Sequence, residues 1–208
     1  MSDLFGSPEA LQVCPVDGDV VFSRITPWTD SAPQLFDRLY NDIDWQEGFV
    51  SLFGKRYKQP RLFAWYGDDD ASYAYSGTRY LPKPWSQVLA TLRDELSRET
   101  GAQYNSVLAN LYRDGRDGMG LHSDDEPELG PAPTIASLSF GETRTFRLRH
   151  KTRKDIAAVK LDLEPGSLLL MRGNTQTHWK HEVPKTKRSC SVRINLTFRL
   201  VHSQTGHW

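Results

Sequence analysis

The sequence predicts a mainly β domain, a sandwich or barrel with helices on one side. The later two-thirds of the chain holds many short runs of alternating apolar and polar residues separated by turn signals, which is typical of antiparallel strands. It holds only one clear helix, at residues 86–100, where leucines recur at helical spacing and Gly101 follows as a C-cap. A length of 208 residues suits one domain with a sizeable core.

The N-terminal residues 1–19 are polar and contain small residues and two prolines. This composition predicts a flexible tail ahead of a single domain at 20–208. Residues 1–6 faintly resemble the short acidic-Leu-Phe peptides that dock on bacterial sliding clamps, so a clamp is a weak candidate partner beside the plainer interpretation of a free tail. A strand is predicted at 20–25, and a helix begins near Pro33 because proline favours the first helical turn.

A strand at 45–52 leads into a stretch of cations, glycine and aromatic rings that begins with Phe53 and Gly54. An exposed ring on a tight turn can wedge into a stack of bases, whereas the plainer interpretation is a hairpin with Phe53 packed inward. Tyr73 and Tyr75 are two residues apart, so they share one face of a strand. They suit either the core or a pocket for a flat ring.

Further strands follow the helix. One is predicted at 104–112, and a pair at 135–140 and 143–149 flanks Gly141. A hairpin is predicted at 159–171. The last strand, at 189–201, alternates strictly between a polar and an apolar face.

Cations cluster at two places in this half of the chain. Six occur between residues 144 and 154 before any acid, and a second basic loop covers 185–188. Phe146 and Leu148 alternate with arginines, so we expect the cations on one side of a strand. That side is either an ordinary solvated face or a rail for phosphates.

A candidate metal site begins at His122 and Asp124. Side chains two apart in a strand point to the same face, so both can reach one ion. With one more histidine downstream, they fit the triad of two histidines and one carboxylate that holds non-haem Fe(II). His178 and His181 are both candidates, and their positions do not choose between them. On its own, His-x-Asp is more often the rim of a polar hairpin.

The last strand has two informative faces. One face is apolar, and the other carries Arg193, Asn195, Thr197 and Arg199. If the polar face meets solvent, the strand is an ordinary amphipathic one. If it lines a barrel, it suits a small anionic ligand, because the planar fork of arginine matches a carboxylate.

These motifs, taken in order, resemble the AlkB group of Fe(II)/2-oxoglutarate dioxygenases, which dealkylate nucleic acids. The resemblance is closest to the subgroup that acts on duplex DNA, and it runs over about residues 52–201. The resemblance implies a double-stranded β-helix, a cupin-like jelly roll, with its core at about 104–201. It also implies a nucleotide-recognition lid at about 45–80 and a catalytic role for the domain at 20–208.

The resemblance also implies a role for each candidate residue. The ligands of Fe(II) would be His122, Asp124 and His181. The residues that hold 2-oxoglutarate would be Asn110, Tyr112, Arg193, Asn195, Thr197 and Arg199. The residues that contact the target base would be Phe53 and Gly54 as a wedge, Tyr73 and Tyr75 in the base pocket, and Asp125 and Glu126 beside it. In such enzymes O2 converts 2-oxoglutarate to succinate and CO2, and the alkyl group of a 1-methyladenine or 3-methylcytosine type base leaves as an aldehyde.

Composition sets limits on partners and location. Lys plus Arg equals Asp plus Glu, 26 each, so the overall charge does not indicate a nucleic-acid partner. Cys14 and Cys190 cannot form a disulfide framework, which suits a reducing cytoplasm. We see no signal peptide and no apolar run of about 20 residues. We therefore expect a cytoplasmic protein, nucleoid-associated in a bacterium, that binds no membrane, and we expect a monomer. Its partner is implied by the resemblance and not by composition: alkylated DNA, double- or single-stranded, with RNA as a further candidate.

Two alternatives remain open from the sequence. One is the same chemistry on RNA or on a protein side chain. The other is a non-catalytic, cupin-like barrel that binds a metal or nucleic acid without turnover. The presence of the triad and the arginine motif together favours an enzyme.

Overall fold

A computed structural model describes residues 10–52, 55–71, 73–75 and 78–202 of the protein, and within 50–56 and 73–80 it describes the backbone alone. In chain order the strands of this part are β1 (Ala10–Gln12), β2 (Asp19–Ser23), β3 (Gln46–Leu52), β4 (Lys55–Gly67), β5 (Tyr73–Tyr75), β6 (Thr78–Tyr80), β7 (Ser106–Tyr112), β8 (Met119–His122), β9 (Ile135–Gly141), β10 (Arg144–His150), β11 (Val159–Leu163), β12 (Leu168–Arg172), β13 (Trp179–Val183) and β14 (Arg193–Arg199). The helices are α1 (Ala32–Asp42), α2 (Gln87–Thr100) and α3 (Thr175–His178), with a 3-10 turn at Pro127–Leu129.

The strands form two main antiparallel sheets. The larger has the order β1-β2-β12-β9-β14-β7-β4-β3, and the smaller has the order β11-β10-β13-β8. Strands β5 and β6 pair only with each other in the described part of the chain. Neighbouring strands are often distant in sequence, so strand pairing brings remote residues together.

Strand β14, in the interior of the large sheet, is buried on both faces. Its seven residues are all buried. Ile194, Leu196 and Phe198 pack in a core that includes residues of both long helices. The opposite face carries the polar residues of the strand and looks toward the smaller sheet. A solvent-facing amphipathic strand, the plainer interpretation of its alternation, is therefore excluded.

The helices follow their local sequence signals. In α2, the Ser86 hydroxyl accepts from the Leu89 amide at 3.5 Å, and Gly101 ends the helix in the left-handed region with φ of 68°. Helix α1 begins at Ala32, with Pro33 in its first turn. Both predicted helices are confirmed. None of the helices in the described part of the chain is both long and apolar enough to cross a bilayer.

The protein has two apolar cores, one on each side of the large sheet. The outer core joins α1 and α2 to the sheet and contains Leu39, Leu92 and Phe198. The inner core lies between the sheets and contains Leu148 and Trp179. Truncating a fully buried phenylalanine such as Phe198 to alanine costs about 3–5 kcal/mol. The inner core surrounds the candidate site and gives it rigid walls.

The N-terminal prediction needs a correction. Residues 1–9 lie outside the described chain, as does the clamp-like motif, but Ala10–Gln12 pairs with β2 as an edge strand. Cys14 is buried, and the Trp179 indole N–H donates to the carbonyl oxygen of Val16 at 3.0 Å. A flexible tail is therefore wrong from Ala10 onward, because contacts with remote residues order a segment whose own sequence is polar.

The prediction that the cations of β10 share one side is also wrong. Arg144 lies on the inward face with Phe146, and its guanidinium donates to three backbone carbonyl oxygens, those of Asp114, Asp117 and Pro184. Arg147 and Arg149 lie on the other face and approach Glu182 at 3.7 and 4.0 Å.

The segment expected to form a lid divides into two parts. Strand β4 pairs with β7 from Leu62 to Gly67, so β3 and β4 extend the large sheet past the candidate site. Strands β5 and β6 form a separate hairpin between β4 and α2. A lid role for residues 45–80 stays a prediction.

Candidate functional site

Three potential metal ligands meet between the two sheets. In the β8–β13 pair, His122 lies directly opposite His181, and Asp124 follows two residues after His122. The ligand atoms of the three side chains all lie within 4.8 Å of one another. His122 Nε2 is 3.4 Å from Asp124 Oδ1, and Asp124 and His181 are buried. A strand pairing between residues about sixty apart in sequence therefore assembles the triad.

The hydrogen bond of His122 leaves the correct nitrogen available. Its Nδ1 lies 2.8 Å from the carbonyl oxygen of Gly120, which can only accept, so Nδ1 carries the proton and donates. Nε2 then keeps its lone pair and faces Asp124. Histidines that bind metals usually donate their second N–H in this way, which fixes the tautomer and the ring orientation.

Asp124 forms a buried ion pair with Arg199. The Arg199 Nη2 donates to Asp124 Oδ2 at 2.6 Å, and both side chains are buried. Burial alone would raise the pKa of Asp124, but the charge of Arg199, with a further contribution from His122 when its ring is protonated, holds that pKa well below its usual range. Asp124 is therefore a carboxylate whose Oδ1 remains directed at the histidines.

The two histidines differ in their affinity for protons. Burial, with the charge of His122 as the second cause, lowers the pKa of His181 to about 3. Burial also opposes protonation of His122, but the hydrogen bond and the charge of Asp124 raise its pKa above the ordinary value. His181 therefore stays neutral across the physiological range, which is the form that binds a metal. The Phe146 ring stacks on His181 with centroids 5.4 Å apart and supports its orientation.

A second cluster of metal-ligand types contains Asp17, His150 and His178. Here the tautomer is wrong for a metal. His150 Nδ1 accepts from the backbone amides of Thr152 and Arg153, at 3.3 and 2.9 Å, so the proton of a neutral ring sits on Nε2. That nitrogen lies 3.3 Å from an Asp17 carboxylate oxygen and cannot offer a lone pair to an ion. Of the two candidate distal histidines, the geometry favours His181.

An arginine lies at the other end of the polar face of β14. Arg193 is 1% exposed, and its guanidinium carbon lies 5.2 Å from the centroid of the Tyr112 ring. Its Nη2 donates to the Ser139 hydroxyl at 2.9 Å, while Nε and Nη1 are buried with no hydrogen-bond partner among the described residues. Burial lowers the pKa of Arg193 to about 10, so it is still charged at neutral pH. A buried guanidinium with two unused donors suits the carboxylate of a small ligand.

Between these two ends, three polar side chains are held by hydrogen bonds. The Asn110 amide oxygen accepts from Arg61 Nε at 2.7 Å, which fixes the orientation of that amide. The Asn195 amide nitrogen donates to the Ser137 hydroxyl at 2.7 Å, and the Thr197 hydroxyl donates to the Asn195 amide oxygen at 3.1 Å. These side chains form a rigid polar wall.

The sequence-predicted residues for metal and cosubstrate converge. Eight of the nine line one cavity: Asn110, Tyr112, His122, Asp124, His181, Asn195, Thr197 and Arg199. The ninth, Arg193, lies against the Tyr112 ring. The sequence reasoning missed the supporting residues Arg61, Ser137 and Ser139. Arg61 is the last residue of the stretch of cations, glycine and aromatic rings that begins with Phe53, and that stretch was the available signal.

The predicted base-contacting residues are less well defined. Phe53 and Gly54 lie outside the described residues, and Tyr73 and Tyr75 fall in β5, whose side chains are not described. The carboxylate of Asp125 is exposed and lies 3.1 Å from Lys151 Nζ. Glu126 immediately precedes the 3-10 turn at Pro127–Leu129.

Comparison with known proteins agrees with this geometry. A family model described as the 2OG-Fe(II) oxygenase superfamily matches residues 22–199. The human protein named DNA oxidative demethylase ALKBH2 is 43% identical over 82% of this chain and 69% of its own length. The chain belongs to the AlkB family. The human alkB homolog 3, named an alpha-ketoglutarate-dependent dioxygenase, is 44% identical over 82% of this chain and 62% of its own length. These values do not separate the two AlkB subgroups, so the expected closeness to the duplex-acting one stays a prediction.

The AlkB-family likeness extends to the fold. The solved structure described as that of OsALKBH1 superposes with a TM-score of 0.60 at 20% identity, covering 86% of this chain and 97% of that one. The predicted jelly roll is confirmed. The chain spans 60–65% of the length of four mammalian alkB homolog 3 relatives. The family uses Fe(II) and 2-oxoglutarate, and the triad and Arg193 are of the right chemistry for both.

Proposed function

We propose that the protein is an Fe(II)/2-oxoglutarate-dependent dioxygenase that removes alkyl groups from N-alkylated bases in DNA, of the 1-methyladenine and 3-methylcytosine type, and releases an aldehyde, succinate and CO2. One observation carries the proposal. A triad of two histidines and one carboxylate shares a small cavity with polar residues that lead to a buried, charged arginine with unused donors. A metal and a dicarboxylate are the ligands that such a combination suits.

Fe(II) would be held by His122, Asp124 and His181. When bound, the ion and 2-oxoglutarate supply the oxidation by O2 that hydroxylates the alkyl carbon next to nitrogen. Two histidines and one carboxylate leave coordination positions open for the cosubstrate and O2, which is the arrangement of non-haem iron oxygenases. Arg199 keeps Asp124 ionised and occupies its Oδ2, so a single carboxylate oxygen is presented to the ion.

The remaining polar residues would orient 2-oxoglutarate. Its far carboxylate would accept from Nε and Nη1 of Arg193, beside the Tyr112 ring, and Asn195 and Thr197 would form the wall between. Asn110 and Arg199 lie toward the metal end, where the keto acid would chelate. A fixed orientation of the cosubstrate converts encounters among several reactants into one prearranged geometry.

The walls of the cavity also limit the entry of water. Leu108, Met119, Phe146 and Val183 contribute apolar side chains around the triad. A dry site strengthens each electrostatic contact within it and protects a reactive oxidant from side reactions. The protein supplies position and exclusion of water, and needs no strong acid or base of its own.

The choice of DNA as substrate is supported by the ALKBH2 relatives, which are named DNA oxidative demethylases, and by the sequence around the site. A base must leave the helix to reach a buried metal, at a cost of a few kcal/mol that is smaller for a damaged base. In this proposal Phe53, with Gly54, fills the gap in the stack. Tyr73 and Tyr75 receive the flipped base.

The direct test is turnover of a duplex oligonucleotide that carries one 3-methylcytosine. Succinate, formaldehyde and demethylated cytosine should form in equal amounts, and the Asp124→Ala variant should form none of them. Methylated RNA and a methyl-lysine peptide serve as comparison substrates. Succinate formation without demethylation of DNA, or faster release of formaldehyde from the peptide, would overturn the proposed substrate.

A further inference from the structure

The backbone of Asp124 is held by a side chain from another part of the fold. The Asp124 amide N–H donates to the side-chain oxygen of Gln176 at 2.9 Å. Gln176 is 2% exposed, and its amide nitrogen lies 3.5 Å from the Met171 sulfur, a weak acceptor. The main polar contact of this buried amide is therefore with the residue that supplies the carboxylate of the triad.

Gln176 belongs to the segment that carries the distal histidine. It lies in α3, a single turn that leads directly into β13 and His181. A neighbouring hydrogen bond joins the same two segments of the chain: the Ser123 hydroxyl donates to the Trp179 carbonyl oxygen at 2.9 Å. Side-chain bonds therefore join the two parts of the triad, which are far apart in sequence, just beside the ligand atoms.

We propose that Gln176 is a positioning residue for the metal centre. It acts through Asp124, since its bond to the amide fixes the backbone of that residue and so directs Oδ1 toward His122 Nε2. The inference rests on the proposed role of His122, Asp124 and His181 as metal ligands. It adds to that role a residue that contacts no ligand atom of the ion.

Other hydrogen bonds support α3, so the bond from Asp124 to Gln176 is not needed to hold that turn. Lys151 Nζ donates to the backbone carbonyl oxygen of Gln176 at 2.8 Å, and the Thr175 hydroxyl accepts from the Asp19 amide at 2.9 Å. These bonds hold the turn whatever side chain residue 176 carries. Loss of the Gln176 amide oxygen leaves the buried Asp124 N–H without its acceptor. Because a buried donor without a partner is costly, we expect the backbone at Asp124 to shift.

The test measures metal binding by the apo-protein without turnover. Cobalt(II) is titrated anaerobically, and its visible d–d spectrum reports affinity and coordination geometry. Gln176→Met keeps the unbranched shape and removes the acceptor, so cobalt affinity should fall roughly 10- to 100-fold with an altered spectrum. Gln176→Glu restores an acceptor oxygen and should recover most of the affinity. Thr177→Ala, at an exposed position of the same turn, is the matched control and should bind as wild type.

The outcomes distinguish this inference from the proposed function. If wild type binds no cobalt, or His122→Ala binds as well as wild type, the metal assignment fails. If wild type binds one ion and Gln176→Met binds equally well with the same spectrum, the metal assignment stands and the role of Gln176 is overturned. If Gln176→Met does not fold, Gln176→Asn, whose oxygen falls about 1.5 Å short of the amide, should show the same loss. Unchanged affinity in Gln176→Asn would likewise overturn the role.

Discussion

Replacing Arg193 by methionine should weaken 2-oxoglutarate binding strongly and leave the apo-protein at least as stable as wild type. The guanidinium has two buried N–H donors without a partner among the described residues, and it remains charged at neutral pH. A carboxylate that accepts from both would form two charge-assisted hydrogen bonds, each contributing about 1.5–3 kcal/mol. Their loss amounts to about 3–6 kcal/mol, or roughly 10²- to 10⁴-fold in affinity.

The stability effect should have the opposite sign. In the absence of a ligand, Arg193 is a buried charge whose guanidinium donates to the Ser139 hydroxyl. Replacing a buried, incompletely paired charge by an apolar side chain of similar length is often neutral or stabilises by about 1–4 kcal/mol. The free energy of unfolding of Arg193→Met should therefore equal or exceed that of wild type in urea.

Two measurements check this pair of effects. The KM for 2-oxoglutarate is taken from succinate formation, and calorimetry with Mn(II) in place of iron gives the dissociation constant. Arg149→Met is the matched control, because that arginine lies on the outer face of β10 and approaches Glu182 at 4.0 Å. A KM for Arg193→Met within twofold of wild type would refute carboxylate binding by this residue. A large loss of stability would show that Arg193 serves the fold instead.

Three further predictions concern other parts of the molecule. Phe53→Ala should reduce repair of duplex DNA more than repair of single strands, because only the duplex requires a filled gap in the base stack; equal losses in paired kinetic assays would argue against a wedge. Arg199→Met should destabilise the apo-protein by about 3–5 kcal/mol in urea unfolding, because the buried Asp124 carboxylate loses its arginine partner, and unchanged stability would contradict the importance of that pair. Burial raises the pKa of the Cys14 thiol to about 12, so iodoacetamide at about pH 8 should label only Cys190 in the folded protein, as mass spectrometry would show. The stability gained from keeping Cys14 neutral is fully present below its unfolded pKa and is lost as pH rises through about 12. Prompt labelling of Cys14 would contradict its burial.

Local sequence signals predicted the elements that local forces determine. Helix α2 has a serine that caps its start, a glycine in the left-handed region at its end and leucines at helical spacing, and each signal acts within one or two turns. The alternation of β14 predicted a strand with two distinct faces. The burial of its polar face could not be read from the strand itself, because it depends on the smaller sheet.

The remaining features depend on contacts between distant parts of the chain. The choice between His178 and His181 is made by the pairing of β13 with β8 and by the hydrogen bonds of His150, neither of which is a local property. The edge strand at Ala10–Gln12 forms because β2 offers a partner. Arg144 points inward, where its guanidinium donates to backbone carbonyl oxygens of two loops.

The arrangement of the two arginines of β14 resolves a difficulty in the sequence prediction. Six residues of strand separate Arg193 from Arg199 by about 20 Å, too far for both to hold one end of a small ligand. In the structure Arg199 lies against Asp124, and Arg193 lies beside Tyr112. The two arginines therefore serve opposite ends of the polar face.

Anaerobic titration with Fe(II) in the presence of 2-oxoglutarate tests the central proposal most directly. It predicts uptake of one iron per chain and a visible charge-transfer band, with both lost in His181→Ala and both retained in His178→Ala. A chain that takes up no iron, or that shows no band with both ligands present, would contradict the assignment of the triad and of every residue that depends on it.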